Sequence, residues 1–137
     1  MKPEPDIEAE IRNTMNRVLD AFSHKKLDEL LSFFLPDPDV TLIGIGAGQK
    51  YVGLENIRSH LEKTFDQSAP VTSMEREDPI ISEHGGVAWI STGFKVQFEF
   101  AEEPVNIYYR NTTIYIKQND KWLIAQMHTS APLGGPE

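Results

Sequence analysis

Arg110 and His128 are the residues whose types best suit chemistry in this 137-residue chain. An arginine offers a planar, permanently charged fork to a carboxylate or to a developing oxyanion. A histidine exchanges protons near neutral pH. Together they describe proton transfer beside a carbonyl, with His128 moving the proton and Arg110 stabilising the oxygen. The structural alternative is an arginine tied to a carboxylate and a histidine satisfied by backbone groups. Tyr108 and Thr112 share the parity of Arg110 along the chain and join it as candidate ligand contacts, although Tyr108 reads equally well as an ordinary strand aromatic. His24, His60 and His84 are scattered, with no pair at ligand spacing, so no metal site is expected. Ser130 stands two residues from His128 without a nucleophile elbow, which argues against a serine hydrolase. Asp20, Asp28, Asp37, Asp39 and Glu99 are the carboxylates considered for acid–base work, and most fall on helix surfaces or in turns.

The stretch YRNTTIYIKQNDKWLIAQMHTSAP, Tyr109 to Pro132, must position the pair. It alternates as two antiparallel strands around a polar turn. A three-residue turn at Gln118 to Asp120 places Trp122 opposite Ile116, Ile124 opposite Ile114 and His128 opposite Arg110, giving an apolar wall that becomes polar at its far end. A two-residue turn breaks that matching, because a slip of one residue moves a whole side-chain set to the other face. The strand Val87 to Phe100 adds Ala88, Ile90, Thr92, Phe94, Val96, Phe98 and Phe100 on one side, with a bend expected at Gly93. Phe94 and Trp122 are thus expected in the core or pocket wall, and as candidate ligand contacts. Trp89 has the opposite parity and is assigned to an outer contact face together with Tyr115 and Met127.

Upstream the pattern is helical. Ile7, Ile11, Met15, Val18 and Phe22 form one stripe behind a cap at Asp6, and Leu27, Leu30, Leu31 and Phe34 form another, ended by Pro36 and Pro38. Leu54, Ile57, Leu61 and Phe65 mark a third helix in GLENIRSHLEKTF. Val40 to Ile45 reads as one short strand entering a glycine-rich loop, which lacks the Gly-Lys-Ser/Thr of a nucleotide site. Val71 to Ser82 reads as one strand interrupted near Pro79. Residues 1–5 and 133–137 are expected to be mobile. The order, helices first and then a meander of four strands, predicts a single α+β domain with helices packed on one face of a bent antiparallel sheet.

Composition sets the outer limits. Hydrophobic residues make up 39% and charged residues 25%, as in an ordinary globular protein, and no apolar run is long enough for a membrane span. The N-terminus has no apolar signal core, so a cytoplasmic location is expected. A net charge of −8 opposes non-specific attraction to nucleic acid or to an anionic membrane. The absence of cysteine excludes disulfides and thiolate chemistry.

With these residues in hand, the chain resembles the SnoaL-like domains of the nuclear transport factor 2 superfamily, and within it the association domain of calcium/calmodulin-dependent protein kinase II. The likeness rests on KWLIAQMHTSAP, with Trp122, Ile124, His128, Ser130 and Pro132, on Arg110 and Thr112, on YVGLENIRSHLEKTF, and on the order of elements. It implies a cone-shaped fold in which three helices close over the concave face of a strongly curved sheet and enclose a pocket. Members are commonly homodimers packed through the sheet, so a homodimer is expected, and proton transfer beside a carbonyl calls for no cofactor. Members include ketosteroid isomerases, scytalone dehydratase and polyketide cyclases, and also non-catalytic binding or assembly modules. Two functions follow as expectations: a protein that binds a small molecule carrying a carbonyl or carboxylate, or an association module. The chain departs from the kinase association domain at Thr129, where that domain has a pocket arginine.

Overall fold

The structure is a computed structural model that describes residues 1–133. Helix α1, Pro5–Ser23, begins one residue before the expected cap at Asp6. Pro5 sits in the first turn, where a missing N–H costs no helical bond, and Asp6 and Glu8 lie beside the positive end of the helix dipole. Before it, Pro3 is buried and the Glu83 N–H donates to the Met1 carbonyl at 3.0 Å. The expected stripe is buried through Ile11, Met15, Val18 and Leu19.

Helix α2, Leu27–Leu31, stops four residues short of the expected Leu35. Its continuation pairs with the last strand instead: the Ile124 N–H donates to the Phe33 carbonyl at 2.7 Å, and the Leu35 N–H to the Ile124 carbonyl at 2.8 Å. Strands β1, Thr41–Ile43, and β2, Lys50–Val52, form a small hairpin, of which only the first arm carries a strand pattern in the sequence. Its glycine-rich tip is a turn, closed by the Gly46 N–H donating to Gln49 Oε1 at 2.9 Å. Helix α3, Leu54–Gln67, buries Ile57 and Leu61 as the periodicity predicts.

The interrupted segment after Pro70 is two strands, β3 (Val71–Arg76) and β4 (Ile80–His84). Both pair antiparallel with β5, Val87–Phe100, which continues through β6, Glu103–Gln118, into β7, Lys121–Ser130. The sheet order is β2-β1-β7-β6-β5-β3 with β4 also on β5. Every pairing is antiparallel except β1 with β7, which is parallel. The result is an α+β fold in which three helices pack on one face of a large, curved, unclosed sheet. Residues from both layers share one core around Ile11, Leu30, Ile57, Ile90, Tyr115 and Ile124.

The register of β6 and β7 differs from the expected one. The turn has two residues, Asn119 (φ 52°) and Asp120 (φ 62°), between the paired Gln118 and Lys121. Positive φ at both central positions is the backbone of a type I′ turn, whose twist matches that of the flanking strands. Trp122 therefore pairs with Lys117, and Ile124 with Tyr115. The register then shifts: Ile114 faces Gln126, so Ala125 is an extra residue on β7. Beyond this bulge Thr113 pairs with Met127, Thr112 with His128 and Arg110 with Ser130.

The turn predicts its own substitutions. Asp120→Gly, which removes the cost of a side chain at positive φ, is expected to stabilise the fold by about 0.5–1 kcal/mol. Asn119→Val, a β-branched residue in the same backbone region, is expected to destabilise it by about 1–2 kcal/mol. Urea denaturation reads both as shifts in midpoint at constant slope.

Candidate functional site

Inside the sheet, β5, β6 and β7 contribute a polar patch to an otherwise apolar face. The Thr113 hydroxyl donates to Asn111 Oδ1 at 2.7 Å, and Asn111 Nδ2 donates to Thr129 Oγ1 at 2.9 Å. Thr92, on the neighbouring strand, donates to the Glu77 carbonyl at 3.2 Å. Thr92 and Thr113 are the buried polar side chains among the described residues. Met15 from α1 and Met127 and Tyr115 from the sheet close over them around a cavity of about 10 Å³. That is the room of about one water molecule. Burial pushes the Tyr115 phenol well above the usual tyrosine range, and that of Tyr109 rises for the same reason.

The expected site residues divide between the two faces of the sheet. Trp122 is buried on the inner face, where its indole N–H donates to Glu10 of α1 at 3.3 Å and the Lys117 ammonium lies 5.7 Å from its ring. Phe94 is half-buried, packed against the core, with its ring 5.8 Å from that of Tyr109. Arg110, Thr112 and His128 are exposed, and with the half-buried Tyr108 they alternate with the inward-facing Asn111, Thr113 and Tyr115. They lie on the outer face of the sheet, contrary to the expectation that they line the interior. His128 faces Thr112 rather than Arg110, which makes Arg110 and His128 diagonal neighbours on that face. Arg110 Nε donates to Ser130 Oγ at 3.2 Å.

Trp89 is on the outer face, as its parity predicts, but Tyr115 and Met127 are buried on the inner one. The inner polar residues Asn111, Thr113 and Thr129 were missed because their parity depends on the turn and the bulge. The one sequence signal was Thr129, at the place of the association domain's pocket arginine.

Other titratable groups lie away from this patch. His60 stacks on Tyr51 at 4.1 Å, and burial lowers its pKa. Asp37 and Asp39 are hydrogen-bonded neighbours in an exposed loop, which holds Asp37 below and Asp39 above the usual carboxylate range. Among the described residues no carboxylate is buried, and no group of three or more His, Asp or Glu could hold a metal. No described helix is long and apolar enough to cross a membrane.

Three helices on an unclosed, curved sheet with this strand order make a nuclear transport factor 2-like fold. The chain belongs to the SnoaL-like domain family, whose sequence model matches residues 11–134. Its fold is similar to that of a candidate dehydratase of the NTF2-like family from Streptomyces avermitilis, with TM-score 0.84, 15% identity and coverage of 96% of this chain and 100% of that one. A ketosteroid isomerase-like protein from Erwinia carotovora atroseptica gives 0.76 at 17% identity, covering 90% and 94%. A candidate calcium/calmodulin-dependent protein kinase type II association domain from Thiobacillus denitrificans gives 0.76 at 15% identity, covering 95% and 96%. No curated protein matches the chain in sequence. At these identities the likeness is one of fold.

The raised phenols make stability fall at high pH. A tyrosine whose folded pKa exceeds its unfolded value holds its proton longer when folded. Its contribution is therefore complete below about pH 10 and is lost as pH rises further. Tyr115→Phe is expected to flatten this alkaline decline in denaturation curves recorded from neutral pH upward. A slope unchanged by the substitution would contradict it.

Proposed function

We propose that this SnoaL-like domain is an association module, forming a homodimer through the outer face of its sheet. The observation that carries the reading is the apolar band on that face. Ile80 is 70% exposed, Trp89 38% and Val87 37%. Trp89 pairs with Ile114, and Val87 with Ile116, which in turn pairs with Leu123. These residues make a contiguous patch of the kind soluble proteins cover with a partner. A two-fold axis through the patch would pack it against its own copy, with Trp89 as the central anchor. Arg110, Thr112, Gln126 and His128 adjoin it as a polar rim, so the contacts read for Arg110 and His128 are assigned to the partner subunit.

The interior supports the same reading. A cavity of about 10 Å³ leaves no room for a substrate, and the described residues offer no buried carboxylate whose pKa burial could raise for acid–base work. The acidic, cysteine-free chain suits the cytoplasm. Sedimentation equilibrium is expected to give a dimer at micromolar concentration. Trp89→Glu combined with Ile114→Glu should give a monomer with an unchanged far-ultraviolet spectrum. A monomeric wild type, or a variant that stays dimeric, would overturn the proposal.

A second reading rests on one different observation, the Thr113–Asn111–Thr129 chain of hydrogen bonds between two methionines. Met15 and Met127 are unbranched and can repack. Their movement would open a site where Asn111 and the threonines bind a carbonyl- or carboxylate-bearing small molecule, without a cofactor. Names among the fold relatives, a candidate dehydratase and an isomerase-like protein, favour this reading. Native mass spectrometry of protein purified without added ligand tests it. A small molecule carried by the wild type and lost from Asn111→Leu is the expected result, and a bare wild-type chain would sink it.

A further inference from the structure

We infer that the cleft between α1 and the β6–β7 turn binds a small organic anion, a carboxylate or phosphate carried on a planar apolar body. The cleft holds about 300 Å³, a volume at the lower end of small-molecule sites. Its apolar wall is Phe33 and Trp122, and its polar lining includes Asn13 and Arg17 from α1 and Lys121 from β7.

Arg17 is the decisive group. The chain has five arginines. Arg12, Arg58 and Arg76 are bound to carboxylates, and Arg110 donates to Ser130. Among the described residues Arg17 has neither a carboxylate nor a hydrogen-bond acceptor. Its guanidinium lies over the Phe33 ring, 5.2 Å from the centroid. This cation–π contact keeps the guanidinium beside the ring, and with no acceptor among the described residues its N–H groups are available to an oxyacid, which an arginine can receive through two parallel bonds.

The local charge favours this despite a net charge of −8. Glu10 also lines the cleft, but it accepts the Trp122 indole N–H at 3.3 Å and lies 3.5 Å from the Lys117 ammonium, so its charge is compensated within the fold. That leaves Arg17 and Lys121 facing Asp120 alone. The larger groove at Lys25, Glu62, Lys63 and Asp66, about 600 Å³, has no arginine fork among its lining residues, and the Lys25 ammonium is 3.5 Å from the Ser68 carbonyl.

Titration of the isotopically labelled full chain with phenyl phosphate, followed by amide chemical shifts, tests the inference. Saturable shifts are expected at residues 13–17, 32–33 and 120–123, weakening as salt is raised. Arg17→Ala should weaken binding by about tenfold or more. Arg17→Lys, which keeps the charge and loses the fork, should also bind more weakly than the wild type. Inorganic phosphate alone should bind less tightly, because it leaves Phe33 and Trp122 unused. Arg17 is exposed, so its variants are expected to keep the wild-type spectrum elsewhere. Three results would overturn the inference: no saturable shift in the wild type, shifts that survive Arg17→Ala, or equal shifts around Lys25 and Lys63.

Discussion

Most of this structure depends on how β6 meets β7. The two-residue turn at Asn119 and Asp120 places Ile124 against Tyr115, and so selects which half of β6 turns toward the helices. The extra residue at Ala125 then changes the parity of β7 for the rest of its length. Trp122, Ile124, Gln126 and His128 are spaced as if they share one face. After the bulge, Met127 and Thr129 turn inward in place of Gln126 and His128. One inserted residue thus separates the core wall from the two candidate chemical groups, because side chains alternate strictly along a strand.

The helical layer is held to that hairpin at two places. Phe33 and Leu35 exchange backbone bonds with Ile124, so the segment that follows α2 is fixed by β7. Glu10 of α1 receives the Trp122 indole and the Lys117 ammonium at the turn end of the hairpin. Both attachments use residues on the inner side of the register, so a slipped hairpin would lose them along with the core. Glu10 is thereby taken up by the hairpin, and Arg17, two helical turns further on, makes no carboxylate contact among the described residues.

A fold shared with a candidate dehydratase, an isomerase-like protein and a candidate association domain says little about chemistry, since function follows from the site. In this chain the interior is filled by Tyr115, Met15 and Met127, while the sheet's outer face carries Trp89, Ile80 and Val87. Apolar surface left in water has a free-energy cost that burial against a partner recovers.

The sequence by itself determined the periodic features. The stripes of α1 and α3, the inward set of β5, the outward position of Trp89 and the α+β order all follow from repeats of 3.6 or 2 residues within one segment, and a local repeat is visible in a single segment. Tertiary structure decided everything that relates one segment to another. The short β2, the parallel contact of β1 with β7, the early end of α2 against Ile124, and the faces taken by Arg110, His128, Tyr115 and Met127 each depend on a partner strand. Arg110 and His128 were legible as neighbours but not as outward-facing ones. Their spacing lies in the chain, whereas the side they occupy is set by a turn of two residues and a bulge of one, whose energies are weighed only when the whole sheet closes on its helices.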